Sequence, residues 1–165
     1  EYDGVRPVLM PWSTSAHSLI AVNLTAALRN RLRGGPCRVF GSGMLVSAAD
    51  SLRAPDATIV CARIGPTEKV ANEPVIVFEV LSPSSSFTDR NTKAHEYGAT
   101  PSIKRYVILE QRHIGATVFS RDLGQWMATV LPADAVLQLP EVGLSIPLTE
   151  FYEDVELAAP DDPAE

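Results

Sequence analysis

The segment Pro74-Val-Ile-Val-Phe-Glu-Val-Leu-Ser82 constrains the fold more than any other part of the chain. On a pleated strand alternate side chains share a face. Val75, Val77, Glu79 and Leu81 therefore lie on one side, with Ile76, Phe78 and Val80 on the other. Both faces are apolar, so the strand must be covered on both sides inside a sheet. Glu79 breaks the pattern. A buried ionised carboxylate costs several kcal/mol unless a cation or hydrogen-bond donors compensate it, so the strand needs a partner as well as a cover. A second carboxylate, Asp56, opens the β-forming run Asp-Ala-Thr-Ile-Val after Pro55. Lys93 lies on the short helix that follows Glu79.

Around this centre the sequence predicts one helix, a set of strands, a second helix and more strands. The run from Ser13 to Gly35 has Ser/Thr capping residues, apolar positions at Ile20, Leu24, Ala27, Leu28 and Leu32, and a Gly34-Gly35 stop. CRVFGSGMLVSA, PDATIVCA and PVIVFEVLS are β-rich runs separated by turn formers. TDRNTKAHEYGA predicts a short helix with Thr88 as its cap and Asp89 in its first turn, ending near Gly98 before Pro101. IKRYVILEQ, GATVFSRD and QWMATVL predict an antiparallel meander, with turns at His113-Ile114-Gly115 and Asp122-Leu123-Gly124. LSIPLTEFYEDVEL predicts a last strand and a helical turn.

At 165 residues the chain is expected to be one domain over residues 1–157 with an acidic, frayed tail over 158–165. No apolar run approaches the ~20 residues of a membrane span. No signal peptide or anchor is visible, and cytoplasm is the default location. Cys37 and Cys61 lie in strand-like runs outside any CxxC pattern and read as buried thiols, ahead of a disulfide or metal ligation. The net charge of -6 excludes a simple nucleic-acid-coating protein. It leaves open an enzyme acting on DNA, because carboxylates gathered at a metal site and in a tail can coexist with a positive face. Arg29, Arg31, Arg33 and Arg38, and Lys104 with Arg105, are the basic groups, read first as solvated surface and second as phosphate contacts.

Adjacent strands run ~5 Å apart. If the strands carrying Asp56 and Glu79 pair in register, their carboxylates can share one hard cation. Mg²⁺ often takes one or two carboxylates, with water and substrate phosphate completing its shell. A lysine ammonium beside them would orient a water or stabilise developing negative charge. Plainer roles compete with this one. Asp56 can cap a turn, Glu79 can sit in a buried ion pair, and Lys93 can pair with Asp89 at i,i+4 on a wet surface. Ser82, Ser84, Ser85 and Ser86 read as a solvated loop before phosphate contacts. His17 and His95 read as structural before functional, and Tyr97 as packing. No GxSxG elbow, HExxH or P-loop is present.

The series PDATIV, PVIVFEVLSPSS and DRNTKAHEYGATPSIKRYVILE, with the opening EYDG and the helix SAHSLIAVNLTAALRNRL, resembles the Uma2 family of restriction-endonuclease-like proteins, within the PD-(D/E)XK nuclease superfamily. The resemblance implies an α/β restriction-endonuclease-like core, a mixed β-sheet flanked by helices with a C-terminal antiparallel meander. It implies Mg²⁺- or Mn²⁺-dependent cleavage of DNA, with Asp56 and Glu79 as metal ligands and Asp56, Glu79 and Lys93 as the catalytic set. Two positions depart from the pattern. The superfamily lysine two residues after the second acid is Leu81 here, and its role passes to Lys93. A glutamate often follows the opening Asp-Gly, where this chain has Val5 and Arg6; Glu1 or Asp3 are the candidates to replace it. DNA is the expected partner, with a homodimer weighed because many enzymes that cut both strands are dimeric. The alternative is a catalytically silent scaffold or interaction domain that retains the fold.

Overall fold

The computed structural model describes residues 1–9, 12–82, 86–122 and 124–157. The tail at 158–165, the loop serines Ser84 and Ser85, and Leu123 lie outside them. Helix α1 (Ser15–Leu32) starts where Thr14 accepts the His17 backbone N–H at 3.2 Å. It ends before Gly34, whose φ of +80° suits a residue without a Cβ. The strands are β1 (Arg38–Gly41), β2 (Leu45–Ala48), β3 (Ser51–Arg53), β4 (Ala57–Val60), β5 (Val70–Ala71), β6 (Pro74–Val80), β7 (Arg105–Leu109), β8 (Ala116–Asp122), β9 (Gln125–Leu131), β10 (Val136–Leu139) and β11 (Leu144–Pro147). Between β6 and β7 a π-helical segment, Thr88–Lys93, runs directly into α2 (Ala94–Ala99).

Six strands form the main sheet in the order β1-β4-β6-β7-β8-β9. Only β6 and β7 pair in parallel; the other neighbours are antiparallel, so the sheet is mixed. The doubly apolar strand β6 lies in its interior, as its composition requires. Ile76, Phe78 and Val80 join the cluster under α1, packing with Ile20, Leu24 and Leu28, and with Leu137, Ile146 and Phe151 from the β10–β11 hairpin and the 3₁₀ turn that follows it. Val77 faces the opposite cluster with Tyr97, Ile103, Tyr106 and Ile108. The small sheet β3-β2-β5 closes that second side through Val46, Ala48 and Ala71. Removing these side chains from water contributes about 1.5–3 kcal/mol each, which fixes the order of the layers.

Three local expectations need correction. CRVFGSGMLVSA is not one β unit, because β1 joins the main sheet and β2 the small one. Thr88 does not cap the second helix: Ser86 and Phe87 are already helical and no side-chain cap bond forms. Cys37 and Cys61 are not free thiols but a disulfide joining the chain just before β1 to the chain just after β4. The antiparallel register explains the bond. Arg38 pairs with Val60, so the next pair outward is Cys37 with Cys61, with Cα atoms 3.9 Å apart.

Candidate active site

The register of β4 on β6 decides the site. Ala57 pairs with Phe78, so one step outward Asp56 stands across from Glu79. Alternation puts Glu79 on the face shared with Val77, towards α2, while Asp56, in the bend just before β4, stands at the strand end beside the start of α1. Asp56 is fixed by two donors. The Val80 backbone N–H reaches its Oδ2 at 2.7 Å, and the His17 Nε2 lies 3.3 Å from the same oxygen. Burial would lower the His17 pKa, but the hydrogen bond and charge of Asp56 outweigh it and raise it. His17, placed by the cap of α1, thus stands directly against Asp56.

Glu79 is 4% exposed and Lys93 2%. The Lys93 ammonium donates to Glu79 Oε1 at 2.8 Å and lies 3.0 Å from both Glu1 Oε1 and Asp89 Oδ1. Its i,i+4 contact with Asp89 is real, but it is buried and not on a wet surface. The parallel β6–β7 pairing causes this arrangement. The connection between the two strands must cross over the sheet, and the π-helical turn lays Asp89 and Lys93 above the end of β6. Such wide turns recur at functional sites. The Tyr97 hydroxyl, one turn further on, is 3.4 Å from Glu79 Oε1, so this ring both packs and touches the acid.

The site extends further than local sequence indicated. Of the two candidates for the missing acid, Glu1 enters and Asp3 does not. Glu1 Oε1 accepts the Ala54 N–H at 3.2 Å, whereas Asp3 accepts the N–H groups of Val5 and Arg6 in its own turn. Arg53, 2% exposed, makes a paired contact with Glu96 at 2.6 and 2.7 Å and a third with Glu1 at 3.2 Å. Neither Arg53 nor Glu96 carries a local sequence signal; only the small sheet brings β3 against α2. His95 is exposed on the outer side of α2. Of the basic groups, Arg31 is held bidentately by Glu150, and Arg105 by Glu141.

The electrostatics are unbalanced. Glu1, Asp56, Glu79, Asp89 and Glu96 face two permanent cations, Lys93 and Arg53, with His17 as a third when protonated. Burial, helped by the charges of Asp56 and Asp89 and opposed by Lys93, pushes the Glu79 carboxyl up to about 8. Burial also works against the Lys93 charge, but Glu79, Asp89 and Glu1 together raise its pKa, so it stays an ammonium. Burial opposes ionisation of Glu1 too, yet Lys93, the Ala54 N–H and Arg53 lower its pKa. Among the described residues no three His, Cys, Asp or Glu side chains form a ready-made metal cage. The donor set is instead Asp56 with the Glu79 carboxyl in an acidic surround, which fits a hard divalent ion that would displace the Glu79 proton and keep water and substrate oxygens in its shell.

Comparison with known proteins bears on the family and the fold. A family model described as "Uma2: Putative restriction endonuclease" matches residues 1–149. An uncharacterized protein of Synechocystis sp. is 27% identical over 156 residues, spanning 92% of this chain and 82% of that protein. The crystal structure of a "putative nuclease belonging to DUF820" from Anabaena variabilis superposes with a TM-score of 0.71 at 18% identity, over 88% of this chain and 85% of that one. The fold is therefore the restriction-endonuclease-like α/β core, mixed sheet and meander included. No described helix is long and apolar enough to cross a membrane.

Proposed function

The chain belongs to the Uma2 family, and on that premise we propose that it is a divalent-metal-dependent endonuclease hydrolysing phosphodiester bonds of DNA. One observation carries the reading: Asp56 and Glu79 face each other across β4 and β6, with the Lys93 ammonium 2.8 Å from Glu79. Asp56 and Glu79 would hold Mg²⁺ or Mn²⁺, which supplies polarisation of the phosphodiester and a more acidic bound water. The Val80 N–H and His17 keep Asp56 oriented without occupying its Oδ1 in any contact described above. Lys93 is a fixed positive charge next to the carboxylate pair. It orients the attacking water and stabilises the negative charge that grows on the phosphoryl oxygens. Glu1, Asp89 and Arg53 hold Lys93 and the acids in place, and Tyr97 steadies Glu79.

One feature favours a second reading, the catalytically silent scaffold. The Lys93 ammonium already has three carboxylates within 3.0 Å and is almost fully enclosed. Nicking of supercoiled plasmid with Mg²⁺ or Mn²⁺, run beside Glu79→Ala and Asp56→Ala prepared identically, separates the two readings. Nicking by the wild type alone supports the nuclease. No nicking by any of the three, on duplex or single-stranded DNA, supports the scaffold.

A further inference from the structure

The proposed nuclease site opens on one side into a groove of about 590 Å³ between α1 and the turn after β1. Its inner end is closed by His17 and Asp56, and its wall is a stripe of α1 that the core does not use. Ser18, Val22 and Arg29 recur at helical spacing on that stripe, while Ile20, Leu24, Ala27, Leu28 and Leu32 face the core. Val22 is 62% exposed, an apolar surface with nothing over it. Arg29 is exposed and has no ion pair among the described residues, whereas Arg31, two residues on, is held by Glu150. Trp12, the residue before the groove-lining Ser13, is 101% exposed.

We propose that this groove takes one strand of single-stranded DNA and leads it to Asp56 and His17, a proposal that rests on the nuclease reading and adds the form of its substrate. The unpaired Arg29 and continuity with Asp56 argue for a nucleic acid. Size argues for a single strand, because a groove of this volume holds a ligand of about drug size and not the width of a duplex. The groove pairs an unpartnered cation with an apolar wall, and the exposed Trp12 precedes its lining residue Ser13 in the chain, a combination of charge and aromatic surface by which proteins track single strands without reading sequence. Twelve residues separate His17 from Arg29, about 18 Å along the helix axis at ~1.5 Å per residue. Arg29 thus meets the backbone several nucleotides away from the carboxylates. Val22 lies between, where the bases pass.

The test is fluorescence anisotropy of a labelled dT12 strand with the full chain in EDTA, so that binding is read without cleavage. The expected result is binding that weakens roughly tenfold in Arg29→Ala and in Trp12→Ala, and is unchanged in Arg33→Ala, a neighbouring exposed arginine outside the groove. The slope of log affinity against log salt should fall by about one in Arg29→Ala, as for one lost phosphate contact. No binding by the wild type, equal binding by Arg29→Ala, or tighter binding of a 12-base-pair duplex overturns the proposal. Plasmid nicking with Mn²⁺ in parallel keeps the two readings apart. Nicking with Arg29-independent binding removes the groove and leaves the nuclease, and Arg29-dependent binding without nicking does the reverse.

Discussion

Replacing Glu79 by glutamine should stabilise the metal-free protein at alkaline pH, although it removes a ligand of the proposed metal site. The Glu79 carboxyl is raised from an ordinary 4.5 to about 8 by burial and by its acidic neighbours. Below 4.5 it is protonated both in the folded and the unfolded chain. As pH rises towards 8, the unfolded chain releases the proton and the folded one retains it, so stability falls across that window and levels off above it. At about 1.4 kcal/mol per pH unit, the ceiling on that loss is about 4–5 kcal/mol. Glutamine is nearly isosteric and carries no charge to bury. It gives up the ionic contact with Lys93, which keeps Glu1 and Asp89 at 3.0 Å. The net gain expected at pH 8 is about 1–3 kcal/mol, since neutral replacements of buried charges are often stabilising. For a domain of this size that raises Tm by roughly 3–10 °C. Thermal melts in EDTA at pH 5, 6, 7 and 8 give both the gain and its pH dependence. In the wild type, saturating Mn²⁺ should restore stability at pH 8, by about 2.7 kcal/mol at 100 times Kd, and should do little for Glu79→Gln. A variant that melts below the wild type at pH 8, or a pH profile parallel to the wild type's, would refute the argument.

Lys93→Met should act in the opposite direction, costing about 3–5 kcal/mol at pH 8 by leaving three carboxylates without their ammonium. Part of that loss should return at pH 5, where the raised Glu79 carboxyl is protonated and needs no counter-charge, as melts at the two pH values would record. Arg53→Met should cost a similar ~3–5 kcal/mol, measurable by urea titration, because it strands Glu96 and one oxygen of Glu1. Cys37→Ser with Cys61→Ser should lower stability by about 2–4 kcal/mol, and dithiothreitol should reproduce the change in the wild type but not in the double variant.

The parts of this structure that were legible in the sequence are those set by short-range pattern. Strand β6 declared its burial by being apolar on both faces, and α1 its core face by the spacing of Ile20, Leu24 and Leu28. Asp56 and Glu79 could be linked because Glu79 interrupts one apolar strand run and Asp56 opens another, where a charge needs a reason. What stayed hidden depends on pairing between distant segments. Arg53 meets Glu96 only because β3 folds back against α2, and Glu1 meets Lys93 across most of the site's sequence span. The disulfide follows from the β1–β4 register, which no spacing between Cys37 and Cys61 encodes. Asp89 looked like a first-turn residue of an ordinary α-helix, and a π-helical turn has no composition that sets it apart.

That wide turn makes the stretch from Thr88 to Lys93 a place where the number of residues matters more than their identity. An α-helix rotates about 100° per residue. A single deletion there would swing the lysine far round the helix axis and away from the acids, while leaving every side chain of the proposed site present in the sequence. Among related chains, a one-residue gap in this segment would therefore mark a disarmed copy as surely as loss of the lysine itself, and an intact length would be compatible with wide drift in the residues between.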